Sequence, residues 1–202
     1  MSNRNKSKES INYRTERVFK TIAVSDYLAD YVNVPRFIEY CRKCGNYNTV
    51  WSCPEYDFDP VDLWNEYKTL DLELIKISFD KSAINKQYTK DEIVDIAIRT
   101  LRPEKRKMMI DFMAKEKEIP GSLSLSAGSC DFCMDDIADK NNNCAREVGG
   151  SCRHPEKLRY SIESLGGDVT KTAKDLFGIE LQWSEGTALP EYFILMCGLL
   201  RR

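Results

Sequence analysis

The sequence LELIKISF at residues 72–79 alternates apolar and polar side chains. Because successive side chains of a strand point to opposite faces of a sheet, this period of two predicts a half-buried β-strand. SLSLS at 122–126 has the same period, and VFKTIAV at 18–24 is the predicted first strand. Near the C-terminus, GIELQW and EYFILMCGLL predict two strands joined as a hairpin by a loop of Ser, Glu, Gly and Pro.

Helical patterns separate the predicted strands. N-cap residues and first-turn prolines mark where helices should begin, and glycines mark where they should end. The predicted helices are two short ones within 25–40, the second opened by Pro35, then 59–70 opened by Asp59 and Pro60, 89–118, 155 to the glycines at 166 and 167, and 168 to the glycine at 178. Pro103 should split or kink the long helix, because proline removes a backbone donor.

Strands separated by helices predict the fold class α+β, with a mixed or mainly antiparallel sheet, flanking helices and cysteine-rich loops beside the sheet. Residues 1–12 carry no hydrophobic periodicity and predict a flexible N-terminal tail. The chain has 202 residues, which is enough to bury a core, so residues 13–202 are expected to form one domain.

The charge balance argues against two classes of partner. With 30 basic and 32 acidic residues the formal net charge is -2, which supplies no basic surface for nucleic acid or for a membrane, and neither partner is expected. The sequence shows no secretory signal and no apolar run long enough to span a membrane, so we expect a cytoplasmic protein. Cytoplasmic thiols stay reduced, and the eight cysteines are therefore interpreted as metal ligands or redox groups before disulfides.

Seven of the cysteines form two groups in polar, turn-rich segments. The first cysteine group, in CRKCGNYNTVWSCPEYDF at 41–58, consists of Cys41, Cys44 and Cys53. The second cysteine group, in AGSCDFCMDDIADKNNNCAREVGGSCRHPEK, consists of Cys130, Cys133, Cys144 and Cys152. Both sulfurs of a C-x2-C pair can bind one metal, and four thiolates complete a site. The sequence therefore predicts one complete metal site and one that lacks a ligand.

The spacing bears on which metal is bound. Zinc ribbons usually present two C-x2-C pairs, whereas each group here has one pair followed by isolated cysteines. That layout is closer to iron-sulfur ligation, in which a ligand is often followed by proline, as Cys53 is by Pro54. We expect one or two clusters of [4Fe-4S] type, with zinc as the alternative. The fourth ligand of the first group would be Cys197, Cys144, a non-cysteine group or an exchangeable molecule.

Three polar residues adjoin the predicted ligands, namely Arg42, Arg153 and His154. A thiolate site carries negative charge, which nearby cations and hydrogen-bond donors would stabilise. Solvated surface charge is the alternative for the arginines. His154 could itself bind metal beside Cys152, but Pro155 follows it and the thiols already suffice, so a position in a first turn or beside the ligands is preferred. Cys197 lies in the apolar run FILMCGLL and is interpreted as a core residue in preference to a ligand.

Taken together, CRKC and WSCP within 41–54, GSCDFC at 128–133 and CRHPEKLRYSIESLGGDV at 152–169 resemble the bacterial and archaeal family called predicted metal-binding protein, a domain family of unknown function. The resemblance extends from about residue 35 to the C-terminus. It implies metal binding through the cysteines, as an iron-sulfur cluster, and it brings no established reaction with it.

One position departs from the family pattern. Such sequences place a third cysteine two residues beyond the C-x2-C pair, where this chain has Asp136 and the next thiol is Cys144. Either Cys144 has taken over the ligand position or the second site is altered. The resemblance also indicates Arg159, Ser161 and Glu163 as candidates for contacts to the ligands or to a substrate, with an ordinary helix surface as the alternative.

Two functions are compatible with these patterns. The first is a cytoplasmic iron-sulfur protein that transfers electrons, or performs a redox step, with a redox partner protein. The alternative is a structural zinc-binding protein that acts as an interaction module without catalysis. A thiol oxidoreductase using Cys41 and Cys44 ranks below both, because the chain lacks the βαβ setting of that class. No nucleotide-binding loop or flavin fingerprint identifies a substrate.

Overall fold

The computed structural model describes residues 11–135 and 143–202. In these residues four strands form one antiparallel sheet in the order β1-β2-β4-β3. The strands are β1 (Tyr13–Ala23), β2 (Thr69–Phe79), β3 (Leu123–Leu125) and β4 (Tyr192–Arg201). The predicted α+β class is confirmed, and the described sheet is antiparallel throughout. The predicted N-terminal tail falls mostly on residues 1–10, which lie outside the described residues.

The helices of the described residues are α1 (Val24–Tyr31), α2 (Val34–Arg42), α3 (Pro60–Asn65), α4 (Lys81–Ile84), α5 (Lys90–Glu118) and α6 (Val169–Phe177). Side-chain caps fix four of the starts, among them that of α2, where Asn33 accepts a hydrogen bond from the backbone N–H of Arg36. Asp59 accepts a hydrogen bond from the backbone N–H of Val61, Asp168 accepts one from that of Lys171, and Thr89 opens α5 with a capping box. None of the described helices is long and apolar enough to cross a membrane.

Strand β2 lies between β1 and β4 and is buried on both faces, so the prediction of a half-buried strand is wrong. Its leucines at 70, 72 and 74 pack in a core that includes Tyr27 of α1 and Trp64 of α3. Its isoleucines at 75 and 77 pack on the opposite face in a core that includes Met108 and Phe112 of α5. Helices cover both sides of the sheet, and among the polar positions of β2 Glu73 is buried while the others remain partly exposed.

Two predicted helices differ from those observed in length or continuity. The helix opened by Asp59 ends at Asn65, because the backbone N–H of Lys68 already pairs with the carbonyl of Arg201 at 2.8 Å and starts the sheet. The long helix is not split, since α5 runs unbroken through Pro103. Its apolar side chains on both sides of the proline are buried, and this burial outweighs the lost hydrogen bond.

The helix predicted from Pro155 to Gly166 is absent. The chain forms only the 3₁₀ turns Pro155–Lys157 and Glu163–Leu165, of which the second is called the Glu163 turn below. Between them the backbone is held beside the end of β3, because the N–H of Ser126 donates to the carbonyl of Tyr160 at 2.8 Å and Ser126 forms a bridge to Ser161. Pairing with the sheet therefore replaces helical hydrogen bonds.

The predicted C-terminal hairpin is also absent. β4 pairs with β2 along its length and with β3 only at 198–200, so in the described residues GIELQW does not take the edge of β4 that β3 leaves free. That segment forms no strand, although its Ile179 and Leu181 pack against the core that contains Trp64.

The Glu163 turn is fixed against α2 and α3. The carbonyl of Gly166 accepts a hydrogen bond from the N–H of Asn33 at 2.8 Å, and the Trp64 indole donates to the carbonyl of Leu165 at 3.0 Å. Gly166 has a φ of +89°, and a Cβ there would lie 2.7 Å from Cγ2 of Val34. Only glycine fits both the backbone conformation and this close approach.

The last turns of α5 are tied to the chain after β3 by a bidentate ion pair. Arg159 donates to Glu116 at 2.9 and 2.7 Å, and the N–H of Ser124 donates to the same carboxylate at 2.7 Å. Burial alone would raise the pKa of Glu116, but the hydrogen bonds from Arg159 and Ser124 outweigh burial and hold that pKa below its usual value. The carboxylate therefore stays charged and paired.

We expect Gly166→Ala to lower the free energy of unfolding by about 2–4 kcal/mol, since the alanine meets both an unfavourable φ and Val34. Gly186→Ala is the matched control, because Gly186 has a φ of +61° with open space around it. The control should cost only about 1 kcal/mol. Urea unfolding followed by circular dichroism measures both, and equal losses would show that contact with Val34 contributes nothing.

Replacing Arg159 by lysine should cost about 1–2 kcal/mol at pH 7, because lysine cannot reproduce the bidentate geometry. Lys174→Ala, which breaks an ion pair whose side chains are 63% and 70% exposed, should have a much smaller effect. The pKa of Glu116 is lowered by folding, so the stabilisation is present above its reference value of 4.5 and is lost as the pH falls further. An Arg159→Lys penalty that does not shrink in acid would contradict this assignment.

Candidate metal centre

The first cysteine group is built from the end of α2 and the loop that follows. Cys41 lies in the last turn of α2, and the N–H of Cys44 donates to its carbonyl at 2.9 Å. The chain then folds back, since the N–H of Asn48 donates to the carbonyl of Cys53 at 2.9 Å. Asn48 has a φ of 58°, a conformation that asparagine tolerates better than most residues. The fold-back returns Cys53 toward the other two thiols.

Burial raises the pKa of Cys41 and Cys53 in this group. Burial raises the pKa of Cys53 to about 11, and the negative charges of Cys41, Cys44 and Glu163 add to the increase. Burial also raises the pKa of Cys41, to which Cys44 and Glu163 again contribute. A raised pKa keeps a thiol protonated at neutral pH. A protonated thiol is a poor nucleophile, which disfavours a thiol redox pair. A bound cation is required to stabilise the deprotonated, thiolate form.

The second cysteine group lines one cavity of about 30 Å³. Cys130 follows β3, Cys133 lies in the 3₁₀ turn Phe132–Asp135, and Cys144 and Cys152 flank the 3₁₀ turn Ala145–Val148. The other residues that line the cavity are Val50, Trp51, Asp131, Phe132, Met134, His154 and Leu158. The structure thus brings together all four thiols predicted for this site, in a mainly apolar setting.

The two cysteine groups are neighbours, which the sequence did not predict. Ser52 is fully buried between them, and its Oγ accepts a hydrogen bond from the N–H of Cys130 at 2.7 Å. The same Oγ lies 3.7 Å from the Sγ of Cys53. A second link is the hydrogen bond from the Trp51 indole to the carbonyl of Gly150 at 3.0 Å. The loops that carry the two groups therefore form one unit.

The donor set can be compared with the needs of a metal. All eight cysteines are free thiols, as a thiophilic metal requires. As the side chains stand in residues 11–135 and 143–202, no three His, Cys, Asp or Glu residues form a group that could hold a single metal ion. The four thiols of the second group nevertheless face a common cavity, and the first group supplies three more. The residue types fit a thiolate-ligated centre.

Helix α5 supplies positive charge that the sequence analysis did not associate with the cysteines. Lys105 donates to the carbonyl of Ser129 and lies 3.7 Å from the Asp131 carboxylate. Burial raises the pKa of Cys130, and the charge of Lys105 opposes that increase. The spacing of Arg102, Lys105 and Arg106 in the sequence indicates a basic face on the helix. Only the fold shows that this face contacts the loop that contains Cys130, where Arg106 donates to the carbonyl of Asp131, 25 residues further along the chain.

The three predicted neighbours of the ligands occupy different settings. Arg42 is exposed at the end of α2. Arg153 donates to the carbonyl of Asn143. His154 lines the cavity of the second group, and its backbone N–H forms a hydrogen bond that opposes the burial-driven rise in the pKa of Cys152. His154 also precedes the short 3₁₀ turn Pro155–Lys157.

The three candidates from the family signature are separated by the fold. Arg159 forms the ion pair with Glu116 described above. Ser161 is buried and accepts a hydrogen bond from the N–H of Ser164 at 3.0 Å, which stabilises the Glu163 turn. Glu163 lies beside the first cysteine group, where its charge acts on Cys41 and Cys53. Asp136, where the family pattern departs, lies outside the described residues.

Comparison with known proteins identifies the family. The family described as Predicted metal-binding protein (DUF2284) matches residues 28–200, a span that contains all eight cysteines. A search of the curated proteins and a search of the solved structures gave no match. The match covers most of the chain and agrees with the resemblance seen in the cysteine motifs, so the chain belongs to this family of predicted metal-binding proteins.

Proposed function

We propose that the protein binds iron-sulfur clusters at its two cysteine groups and exchanges electrons with a redox partner protein in the cytoplasm. The observation that carries this proposal is the cavity that Cys130, Cys133, Cys144 and Cys152 line together. Ligation by four cysteine thiolates is the usual way in which proteins hold such clusters. When bound, a cluster supplies one-electron redox chemistry that the side chains themselves do not offer.

The sequence layout of the cysteines supports a cluster over a single zinc ion. Each group has one C-x2-C pair followed by isolated cysteines, whereas zinc ribbons usually present two such pairs. The Cys53–Pro54 sequence is a further feature typical of cluster ligands.

The surrounding residues would tune such a centre. Trp51, Phe132 and Leu158 line the cavity of the second group with apolar surface that limits contact with water. Lys105 supplies a positive charge whose side chain is only 11% exposed. Low exposure and nearby hydrogen-bond donors are the features by which a protein sets the reduction potential of a cluster.

The position of Ser52 suggests how electrons would pass between the two groups. It contacts the sulfur of Cys53 and the backbone of Cys130, so the two centres would be separated by one buried residue. Cys44 of the first group is exposed, whereas the cysteines of the second group are partly buried. We therefore infer that a redox partner reaches the first group and that the second group receives the electron inside the protein.

A structural zinc protein is the second candidate. An all-thiolate set of four, as in the second group, also suits zinc, and a closed tetrahedral site would join the loop after β3 to the Cys152 segment without turnover. The two candidates predict different metals in the same place.

We expect protein purified without oxygen to contain iron and acid-labile sulfide in matching amounts, with a brown absorption band that bleaches with dithionite. The double variant Cys130→Ser, Cys133→Ser should lose roughly half of the iron, because one of two centres loses half of its ligands. Cys197→Ala is the control, since Cys197 is fully buried in β4 with its sulfur 3.7 Å from that of Met109. Zinc alone in a colourless sample would contradict the proposal.

Lys105→Met should lower the reduction potential, because a positive charge favours the more negative reduced state. A charge within about 10 Å of a partly buried centre is worth roughly 1–2 kcal/mol, or about 40–90 mV for one electron. Lys107→Met is the matched control on the same helix, since Lys107 is 61% exposed and paired with Glu104. A redox titration followed by visible absorption measures both shifts, and equal shifts would show that Lys105 has no special relation to the centre.

A further inference from the structure

We propose that the carboxylate of Glu163 is the fourth protein ligand of the metal centre formed by Cys41, Cys44 and Cys53. This inference rests on the proposed function in one respect, that the first cysteine group binds a metal. The sequence left the fourth ligand of this group undecided. The proposal assigns it to one residue, which lies 110 positions beyond Cys53 in the chain.

The first observation is a buried carboxylate oxygen without a partner. Oε2 of Glu163 has no appreciable surface exposed to water and accepts no hydrogen bond in the described structure, although other atoms of the residue are partly exposed. A buried, unpaired carboxylate oxygen is costly, and a bound cation is the partner that would remove the cost.

The second observation is that the Glu163 turn is attached to both arms of the first cysteine group. Gly166, at the end of the turn, binds Asn33 at the start of α2, the helix that ends with Cys41. On the other side, the hydroxyl of Tyr56, three residues after Cys53, donates to Oγ of Ser164 at 2.8 Å. The turn therefore holds Glu163 between the two segments that carry the thiols.

The Glu163 turn also packs directly against α2, the helix that ends with Cys41. Together with the hydrogen bonds to Asn33 and from Tyr56, this packing assigns the carboxylate to the three-thiol group.

The other candidates for the fourth ligand are placed elsewhere. Cys144 lines the cavity of the second group. Cys197 is buried in the core under α5, where its sulfur contacts Met109 and where burial raises its pKa to about 12. Among the cysteines and carboxylates of the described chain that bear on the first group, Glu163 is thus the one with an unused buried donor atom.

Carboxylate oxygen is a suitable donor for the metals under consideration. Zinc accepts Asp and Glu oxygen beside thiolates, and iron binds both carboxylate and thiolate ligands. A first centre with three sulfur ligands and one oxygen ligand would therefore differ chemically from the all-thiolate second centre. Oxygen is the harder donor, so one iron of a cluster at the first group should be spectroscopically distinct from the others.

The test uses the full-length protein reconstituted without oxygen with ⁵⁷Fe²⁺ and sulfide, and three variants, Glu163→Ala, Glu163→Cys and Glu73→Gln. Mössbauer spectroscopy should show a component from oxygen-ligated iron in the unsubstituted protein. Glu163→Cys should retain the iron and lose this component, while Glu163→Ala should lose iron, by up to about twofold if the whole first cluster is lost. Glu73→Gln is the control, because Glu73 is also a buried carboxylate but lies in β2 beside Arg17, and it should leave iron and spectrum unchanged.

The assignment is overturned if the unsubstituted protein shows only sulfur-ligated iron, or if Glu163→Ala retains all of its iron with an unchanged spectrum. The first of these measurements uses the unsubstituted protein, so it remains a valid test even if a substitution at Glu163 prevents folding. Circular dichroism would reveal a variant that does not fold. A protein that takes up zinc and no iron would refute the proposed redox function alone. X-ray absorption at the zinc edge would then report whether oxygen is bound, and an all-sulfur result would refute the role of Glu163 separately.

Discussion

The site depends on one constraint. A thiolate is negatively charged, and burial removes the water that would stabilise its charge. Burial raises the pKa of Cys41, Cys53, Cys130 and Cys152, so these thiols remain protonated until a cation offsets the cost of their charge. Metal binding and thiol deprotonation are consequently one event. The structure prepares part of the compensation in advance, through Lys105 near the second group and the backbone donors in both loops.

The fold places these loops together although they are distant in the sequence. β4 occupies the position between β2 and β3, which brings the end of β3 and the Cys130 loop to the side of the sheet where the chain after α2 folds back. Ser52 then joins the two loops by accepting a hydrogen bond from the N–H of Cys130. Because Ser52 is fully buried, loss of this bond would leave a buried donor unsatisfied, and the relation between the two groups is therefore fixed.

Local features were predictable from the sequence, whereas features that depend on long-range pairing were not. The caps at Asp59 and Asp168 and the two cysteine groups are set by neighbouring residues, and they were found. The helix predicted from Pro155 failed because Ser126 pairs with that segment, 34 positions before Tyr160. Alternation in β2 indicated a strand but not that α5 would cover its second face. Glu163 could be selected from the family signature, but only the fold shows which thiols it approaches.

The two centres differ in ways that suggest a division of roles. The second group has four thiols around an apolar cavity, an arrangement that favours a closed and stable centre. The first has three thiols, one of them exposed, together with a buried carboxylate oxygen. A centre with a harder, weaker-bonding ligand and an exposed thiolate is the one that a partner or a small ligand can reach. If both groups hold clusters, as proposed, exchange with the surroundings would belong to the first group, and the second, linked to it through Ser52, would receive the electron inside the protein.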